Sequence, residues 1–380
     1  MNRVGFVGWR GMVGSVLLQR MIAEGDFARI GRAVFFTTSQ AGRPGPDIGR
    51  ETSALVDADD LDALAEMDVI VTCQGGDYTA AIHPQLRGRG WRGYWIDAAS
   101  TLRLEESATI VLDPVNLPVI EQGLADGHRD FIGGNCTVSL MMMALDGLFN
   151  ADLVEWMTVA TYQAISGGGA RQMREFLAQM GHAHRGAEAL LADGGSSILA
   201  IDQATNDALR GEQAPTAEIG FPLANSLLPW VDRDLQSGVS REEMKGLAET
   251  NKILGKALGQ PPSSAPIPIE STCVRVGVLR CHSQAFTIKL KQVLAEDEIG
   301  EIIARGNDWV KLVPNDRAQT LARLTPAAVT GTLDIAVGRV RRLNLGGDGE
   351  CYLSAFTVGD QLLWGAAEPL RRMLRILARR

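Results

Sequence analysis

The chain has 380 residues, of which 46% are hydrophobic and 22% charged, enough apolar material for two cores. Its net charge of −8 excludes a basic nucleic-acid face or an anionic membrane surface as partner, so small molecules are expected. Cys73, Cys136, Cys273, Cys281 and Cys351 are odd in number and scattered without a CxxC pair, so neither a disulfide framework nor a metal site is expected.

The N-terminal run Val4-Gly5-Phe6-Val7 reads as a buried parallel strand, leaving no room for a signal peptide, and the expected compartment is the cytoplasm. It leads into Gly8-Trp9-Arg10-Gly11-Met12-Val13-Gly14 and then a helical pattern from Ser15 to Ile22. Strand, glycine turn and helix in that order form a dinucleotide loop, in which glycines permit the tight turn and let a pyrophosphate approach the helix N-terminus. A second strand, residues 33–36, ends in Thr37-Thr38-Ser39-Gln40, where an NAD enzyme usually offers a carboxylate to the ribose. Hydroxyls there, with Arg10 and Arg43 nearby, favour a 2′-phosphate and hence NADP. Two further strands, residues 69–72 and 94–100, carry Gln74-Gly75-Gly76 and the anion candidate Arg103 just beyond their ends.

Gly133-Gly134-Asn135-Cys136 precedes the apolar helical run Leu140-Met141-Met142-Met143-Ala144-Leu145, which places one thiol at a helix start. Unpaired N–H groups and the positive end of the helix dipole favour a thiolate there, so Cys136 is the candidate nucleophile. From about residue 135 to 359 regular strand–helix alternation fades, and an α+β domain on a mainly antiparallel or mixed sheet is expected, with an exposed sheet face suited to a dimer contact. Within it, a strand ending at Gln163 runs into Ser166-Gly167-Gly168-Gly169-Ala170, which reads equally as a cofactor-approaching turn or a hinge. Ser240 and Glu243 fit a capping box, while Glu242 and Lys245 share a helix face as a surface ion pair or as functional groups. Arg275 sits in an apolar, β-branched run, where a charge is expensive unless used. His282 lies seven residues on, a spacing that demands a bend between them. A terminal helix from Gln361 onward ends in Arg371, Arg372, Arg375, Arg379 and Arg380, expected as a solvated, dipole-matched end.

Five stretches, residues 4–15, 133–139, 240–243, 280–286 and 359–369, together resemble the bacterial aspartate-β-semialdehyde dehydrogenase family. The likeness covers nearly the whole chain and is least clear over residues 186–218. It implies an α/β Rossmann-type NADP-binding domain, residues 1–134 plus 360–380, whose terminal helix packs back on it. It also implies an α+β catalytic and dimerisation domain, residues 135–359, and a homodimer. The implied reaction is NADPH-dependent reductive dephosphorylation of L-aspartyl 4-phosphate to L-aspartate 4-semialdehyde, toward lysine, methionine, threonine and isoleucine. Position by position, Cys136 is then the acyl-thioester nucleophile, His282 the general acid/base and Gln163 the group that orients substrate. Arg275 holds the α-carboxylate and Glu242 the ammonium, while Arg103, Asn135 and Lys245 receive phosphate. The cofactor meets Gly8, Arg10, Gly11, Met12, Val13, Thr38, Ser39, Gln74, Ser166, Gly167, Gly168, Gly169, Ala170 and Gln361. N-acetylglutamyl-phosphate reductase, glyceraldehyde-3-phosphate dehydrogenase and a non-catalytic NADPH sensor stand as the alternatives.

Overall fold

The computed structural model describes residues 2–256, 265–345 and 351–380. Its first half alternates short strands and helices: β1 (Arg3–Val7), α1 (Met12–Ala23), β2 (Arg32–Thr37), β3 (Val56–Asp57), α2 (Leu61–Ala65), β4 (Val69–Thr72), α3 (Gly76–Gly88), β5 (Tyr94–Asp97), β6 (Ala108–Val111), α4 (Asp113–Ala125) and β7 (Asp130–Gly133). These strands form one sheet in the order β3-β2-β1-β4-β5-β7-β6. Every pair in it is parallel. A parallel sheet is covered on both faces, which is why Val69-Ile70-Val71-Thr72 is buried at each position. The short strands β6 and β7 were not foreseen, and β5 stops at Asp97, three residues short of the run expected to reach Ser100.

The chain then passes through α5 (Cys136–Asn150) into β8 (Val154–Gln163), α6 (Gly169–Ala192), α7 (Ile198–Arg210), β9 (Leu227–Leu228), α8 (Arg241–Ile253), β10 (Ile269–Val276), β11 (Cys281–Leu290), α9 (Glu296–Ala304), β12 (Val310–Leu312), α10 (Arg317–Arg323), α11 (Pro326–Val329), β13 (Ile335–Arg342) and β14 (Tyr352–Asp360). The second sheet runs β12-β13-β14-β11-β8-β10-β9 and is mixed, with β8 parallel to β10 and antiparallel to β11. Along β8 the alternation leaves Thr158 and Tyr162 exposed on the face turned away from the core. The weakly resembling stretch 186–218 falls on the α6–α7 pair.

Helix α5 carries the junction. From Thr137 to Phe149 every residue but Gly147 is buried, and its Leu140–Leu145 run packs with Ile110 of the first sheet and Val154, Met157 and Phe286 of the second in one apolar cluster. A helix apolar all round has no solvent face and is held from every side. At about 1.5–3 kcal/mol per fully buried large side chain, this packing fixes the position of the helix start that bears Cys136.

The terminal helix α12 (Glu368–Ala378) follows a π-turn at Leu363–Ala367 rather than starting at Gln361. Leu370, Met373, Leu374 and Leu377 pack with Val4, Leu17 and Phe131 of the first sheet region. The expectation of a solvated arginine end holds for Arg379 and Arg380, which are exposed, and is corrected for Arg371 and Arg372. Arg371 is 2% exposed, with its guanidinium 2.7 Å from Asp26 and 2.9 Å from Glu368, and Arg372 makes two bonds of 2.6 Å to Asp113. Asp26 and Asp113, far away in sequence, and the neighbouring Glu368 receive these two charges rather than solvent.

Candidate active site

At the carboxyl ends of β1 and β2 lies a cleft of about 320 Å³ lined by Gly8, Trp9, Arg10, Gly11, Phe36, Thr37, Thr38 and Gln74. Gly8 has φ +71°, and a Cβ there would stand 2.5 Å from the Cys73 and Gln74 backbone, so this turn admits only glycine. Helix α1 starts at this turn with no side-chain cap, which leaves its first N–H groups for an anion. The guanidinium of Arg10 donates to Ser39 Oγ at 3.0 Å and Thr37 Oγ1 at 3.4 Å. The lining contains no carboxylate. These features fit a dinucleotide whose phosphates sit on the turn.

A second cleft, of about 450 Å³, opens between the two sheets and is lined by Val13 from the α1 start, by Ser166, Gly167 and Gly168, and by the charged groups discussed below. Asn135 caps α5, its Oδ1 accepting from the N–H groups of Thr137 and Val138. The next residue, Cys136, is thereby placed on the first turn, with Sγ 3.2 Å from His282 Nε2. The bend foreseen between Arg275 and His282 is real. The two residues lie on β10 and β11, strands that flank β8 on opposite sides. His282 is fully buried, and its Nδ1 accepts from the Ala164 N–H at 2.9 Å. Burial, then the neighbouring Arg275 cation, pull the ring down to about 3, so it is neutral.

The thiol corrects an expectation. Burial, then the Glu242 carboxylate, push Cys136 up to about 12, against the lowering influence of Arg275, Lys245 and Arg103. Being partly open to the cleft, it is reachable by substrate, but a helix start alone does not ionise it. Gly365, in the π-turn, explains part of the confinement: a Cβ there would lie 2.9 Å from Cys136 Cβ.

Glu242, Lys245 and Asp232 form a chain of charges in the cleft. Lys245 Nζ lies 2.8 Å from both Glu242 Oε2 and Asp232 Oδ2. Glu242 also accepts from Asn135 Nδ2 at 2.9 Å and from Gln163 Nε2 at 3.4 Å. With Glu242 6% exposed, the pair is not a surface pair. The capping box is present as expected. Arg275 lines the cleft and donates one bond to Ala164 O at 2.7 Å. Arg103 lines it too, while donating to Gly133 O, Ala98 O and Glu249. Gln361 reaches across to Ser166 Oγ at 2.6 Å.

Thus Cys136, Gln163, Arg103, Asn135, Glu242, Lys245, Arg275, Val13, Ser166, Gly167, Gly168 and Gln361 share one cleft, with His282 directly behind the thiol. Gly8, Arg10, Gly11, Thr38 and Gln74 share the other, and Ser39 joins it through Arg10. Met12, Gly169 and Ala170 line neither; Met12 opens α1, while Gly169 and Ala170 open α6. Sequence reasoning missed Asp232 and Glu249. The latter is 2% exposed and accepts from the Asn135 N–H at 2.6 Å. Its signal was available, for it stands seven residues after Glu242 and four after Lys245, on the same face of α8.

A thiol and an imidazole in contact, beside a glycine-turn dinucleotide cleft and a polar pocket with fixed cations, define a thiol-dependent oxidoreductase of the dinucleotide-binding class. Residues 3–123 match the model of the semialdehyde dehydrogenase NAD-binding domain, and residues 145–364 that of the semialdehyde dehydrogenase dimerisation domain. The chain belongs to the semialdehyde dehydrogenase family. It is 46% identical to a solved aspartate semialdehyde dehydrogenase from Francisella tularensis, over 99% of this chain and 100% of that one, with a TM-score of 0.92. The fold also matches aspartate semialdehyde dehydrogenase II from Vibrio cholerae, solved with ASA, at 21% identity over 100% and 98% of the two chains, TM-score 0.78. A third match is the Candida albicans enzyme, solved with NADP, at 16% identity over 99% and 98%, TM-score 0.66.

Proposed function

We propose that this protein reduces L-aspartyl 4-phosphate to L-aspartate 4-semialdehyde with release of phosphate, through a thioester on Cys136, as a cytoplasmic homodimer that prefers NADP. The observation that carries this reading is the 3.2 Å contact between Cys136 Sγ and His282 Nε2 inside a cleft that also holds Arg275, Arg103, Lys245 and Glu242. A substrate bearing a carboxylate, an ammonium and a phosphate needs two cationic regions and one acidic group. Arg275 supplies the planar grip for the α-carboxylate, Glu242 receives the ammonium, and Arg103 with Lys245 receives the phosphate, supported by Asn135. Gln163, bonded to Glu242, orients the substrate over the thiol.

The sulfur attacks the acyl carbon as His282, 3.2 Å away, takes the thiol proton, the S–C bond forms and the C–O bond to phosphate breaks. A nicotinamide dinucleotide, when bound, would supply the hydride that reduces the thioester. The C–S bond then breaks, His282 returns the proton to the sulfur, and the aldehyde leaves. The cofactor is held by Gly8, Arg10, Gly11, Met12, Val13 and Gln74 on the first domain and by residues 166–170 and Gln361 across the seam. Thr38, Ser39 and Arg10, with no carboxylate among them, support a 2′-phosphate and hence NADP over NAD. Domain boundaries at 134/135 and 359/360 accord with the two sheets, α12 returning to the first.

Initial rates in the phosphorylating direction test the reading. With phosphate and NADP, aspartate semialdehyde is expected to outperform N-acetylglutamate semialdehyde and glyceraldehyde 3-phosphate by orders of magnitude. Preference for either competitor, or no turnover with any, overturns it.

A further inference from the structure

We propose that Asp232 occupies, at Lys245, the place of the substrate phosphate, so that this carboxylate competes with phosphate for the ammonium and keeps the phosphate site weak enough to release its product. The inference rests on the functional reading above and adds to it a residue that sets phosphate affinity. Lys245 Nζ donates to Asp232 Oδ2 and to Glu242 Oε2, each at 2.8 Å. An ammonium has three protons, so two of them are already taken by carboxylates of the protein. A carboxylate and a phosphate offer that ammonium the same thing, anionic oxygens that accept a charge-assisted hydrogen bond.

The two carboxylates are not equivalent. Glu242 is buried and also accepts from Asn135 Nδ2 and Gln163 Nε2, so its withdrawal would take an acceptor from two buried amides. The Asp232 side chain is 29% exposed, on the loop between β9 and α8. Its other oxygen accepts from the N–H of the adjacent Arg233 at 2.8 Å, so among the described residues Lys245 is its one hydrogen-bond partner outside that loop. Water can replace Lys245 at so open a carboxylate with little loss. The same exchange at Glu242 would leave a charge buried and under-bonded.

The charge balance of the cleft points the same way. Its cations are Arg103, Lys245 and Arg275. Arg103 faces the buried Glu249, and Lys245 faces Glu242 and Asp232, so three carboxylates offset three cations. A phosphate group carries more than one negative charge near neutral pH and meets no net positive charge there. Of the three carboxylates Asp232 alone is open to water, and when it turns aside the phosphate takes over its bond to Lys245 beside Arg103. Once the C–O bond has broken and phosphate is the leaving product, the return of Asp232 to the ammonium displaces it.

The test measures binding of inorganic phosphate to the full-length protein by ³¹P NMR at fixed ionic strength, with NADP saturating so that the glycine-turn cleft is filled. For Asp232→Asn and Asp232→Ala the dissociation constant is expected to fall roughly tenfold, the worth of one charge-assisted hydrogen bond no longer in competition. Asp232→Glu, which keeps the charge, should stay within about twofold of the parent protein. In a Lys245→Met background the Asn substitution should have no such effect, because the coupling runs through the ammonium. Melting temperatures close to that of the parent show that the variants are folded. An unchanged or raised constant in either the Asn or the Ala variant, as a strut that merely holds Lys245 in place would give, overturns the proposal, and so does the same gain in the absence of Lys245. Since no aldehyde takes part, the measurement stands apart from the substrate assay. Tightened phosphate binding without aspartate semialdehyde turnover in the parent would sink the functional reading alone, and turnover with no tightening would sink the role of Asp232 alone.

Discussion

The cleft at the end of the first sheet draws its lining from residues 8–11, 36–38 and 74, each at or just past a strand end. The thiol centre instead gathers Cys136, Gln163, Glu242, Arg275 and His282 from α5, β8, α8, β10 and β11. In the first region geometry is imposed locally, by a turn that only glycine can make. In the second it is imposed by packing between elements up to 146 residues apart, as between His282 and Cys136. The consequence is a difference in vulnerability. The phosphate end of the nucleotide site depends on the glycine turn, whereas turnover depends on the seam staying in register.

The sharpest way to separate the regions is Cys136→Ala. Turnover is expected to fall by roughly 10⁴-fold or more, because the covalent route is gone, while NADPH affinity changes less than about twofold. Measurable kcat near the parent value would break the comparison. Next in size is Arg371→Leu, which leaves buried Glu368 with Arg20 alone and buried Asp26 with only the more distant Arg375, and is expected to destabilise the protein by about 3 kcal/mol in denaturant melts. Both KM values should hold in the folded fraction, since Arg371 lines neither cleft.

A smaller effect is expected for Arg10→Ala, which removes the guanidinium beside Thr37 and Ser39. Loss of a bond to a charged group, about 1.5–3 kcal/mol, corresponds to a rise of roughly 10–100-fold in the KM for NADPH, with the KM for NADH nearly unchanged. Equal losses for the two cofactors would remove Arg10 from the 2′-phosphate site. The smallest is Asp146→Asn on α5. Burial raises this carboxyl to about 6, against hydrogen bonds from Asn307 and Asn150. With the folded value above the unfolded one, the unfolded chain releases its proton first, so this group lowers stability as pH rises from about 4 to about 6. The variant should therefore be more stable by about 1–3 kcal/mol at pH 7, with the gain vanishing near pH 4. A gain independent of pH would point to packing instead.

Legibility in the sequence follows the same divide. The β1–turn–α1 unit was readable because strand, glycines and helix are contiguous, and Cys136 because a helix start announces itself. The strands β6 and β7, at four residues each, carry too little pattern to register. The burial of Arg371 was not readable, since its partner Asp26 lies 345 residues away. The neutrality of the thiol escaped for a related reason: local helix electrostatics were visible, but the burial and the Glu242 carboxylate that outweigh them come from the tertiary fold. Asp232 had no sequence signal, since it works through a loop that bends back to Lys245.

The central claim is that Cys136 carries the acyl group, and intact-protein and peptide mass spectrometry after exposure to L-aspartyl 4-phosphate without nucleotide addresses it most directly. The account predicts an added aspartyl mass on the peptide containing Cys136, lost on later addition of NADPH and absent in Cys136→Ala. An unmodified Cys136, or the same adduct persisting in the alanine variant, would contradict it.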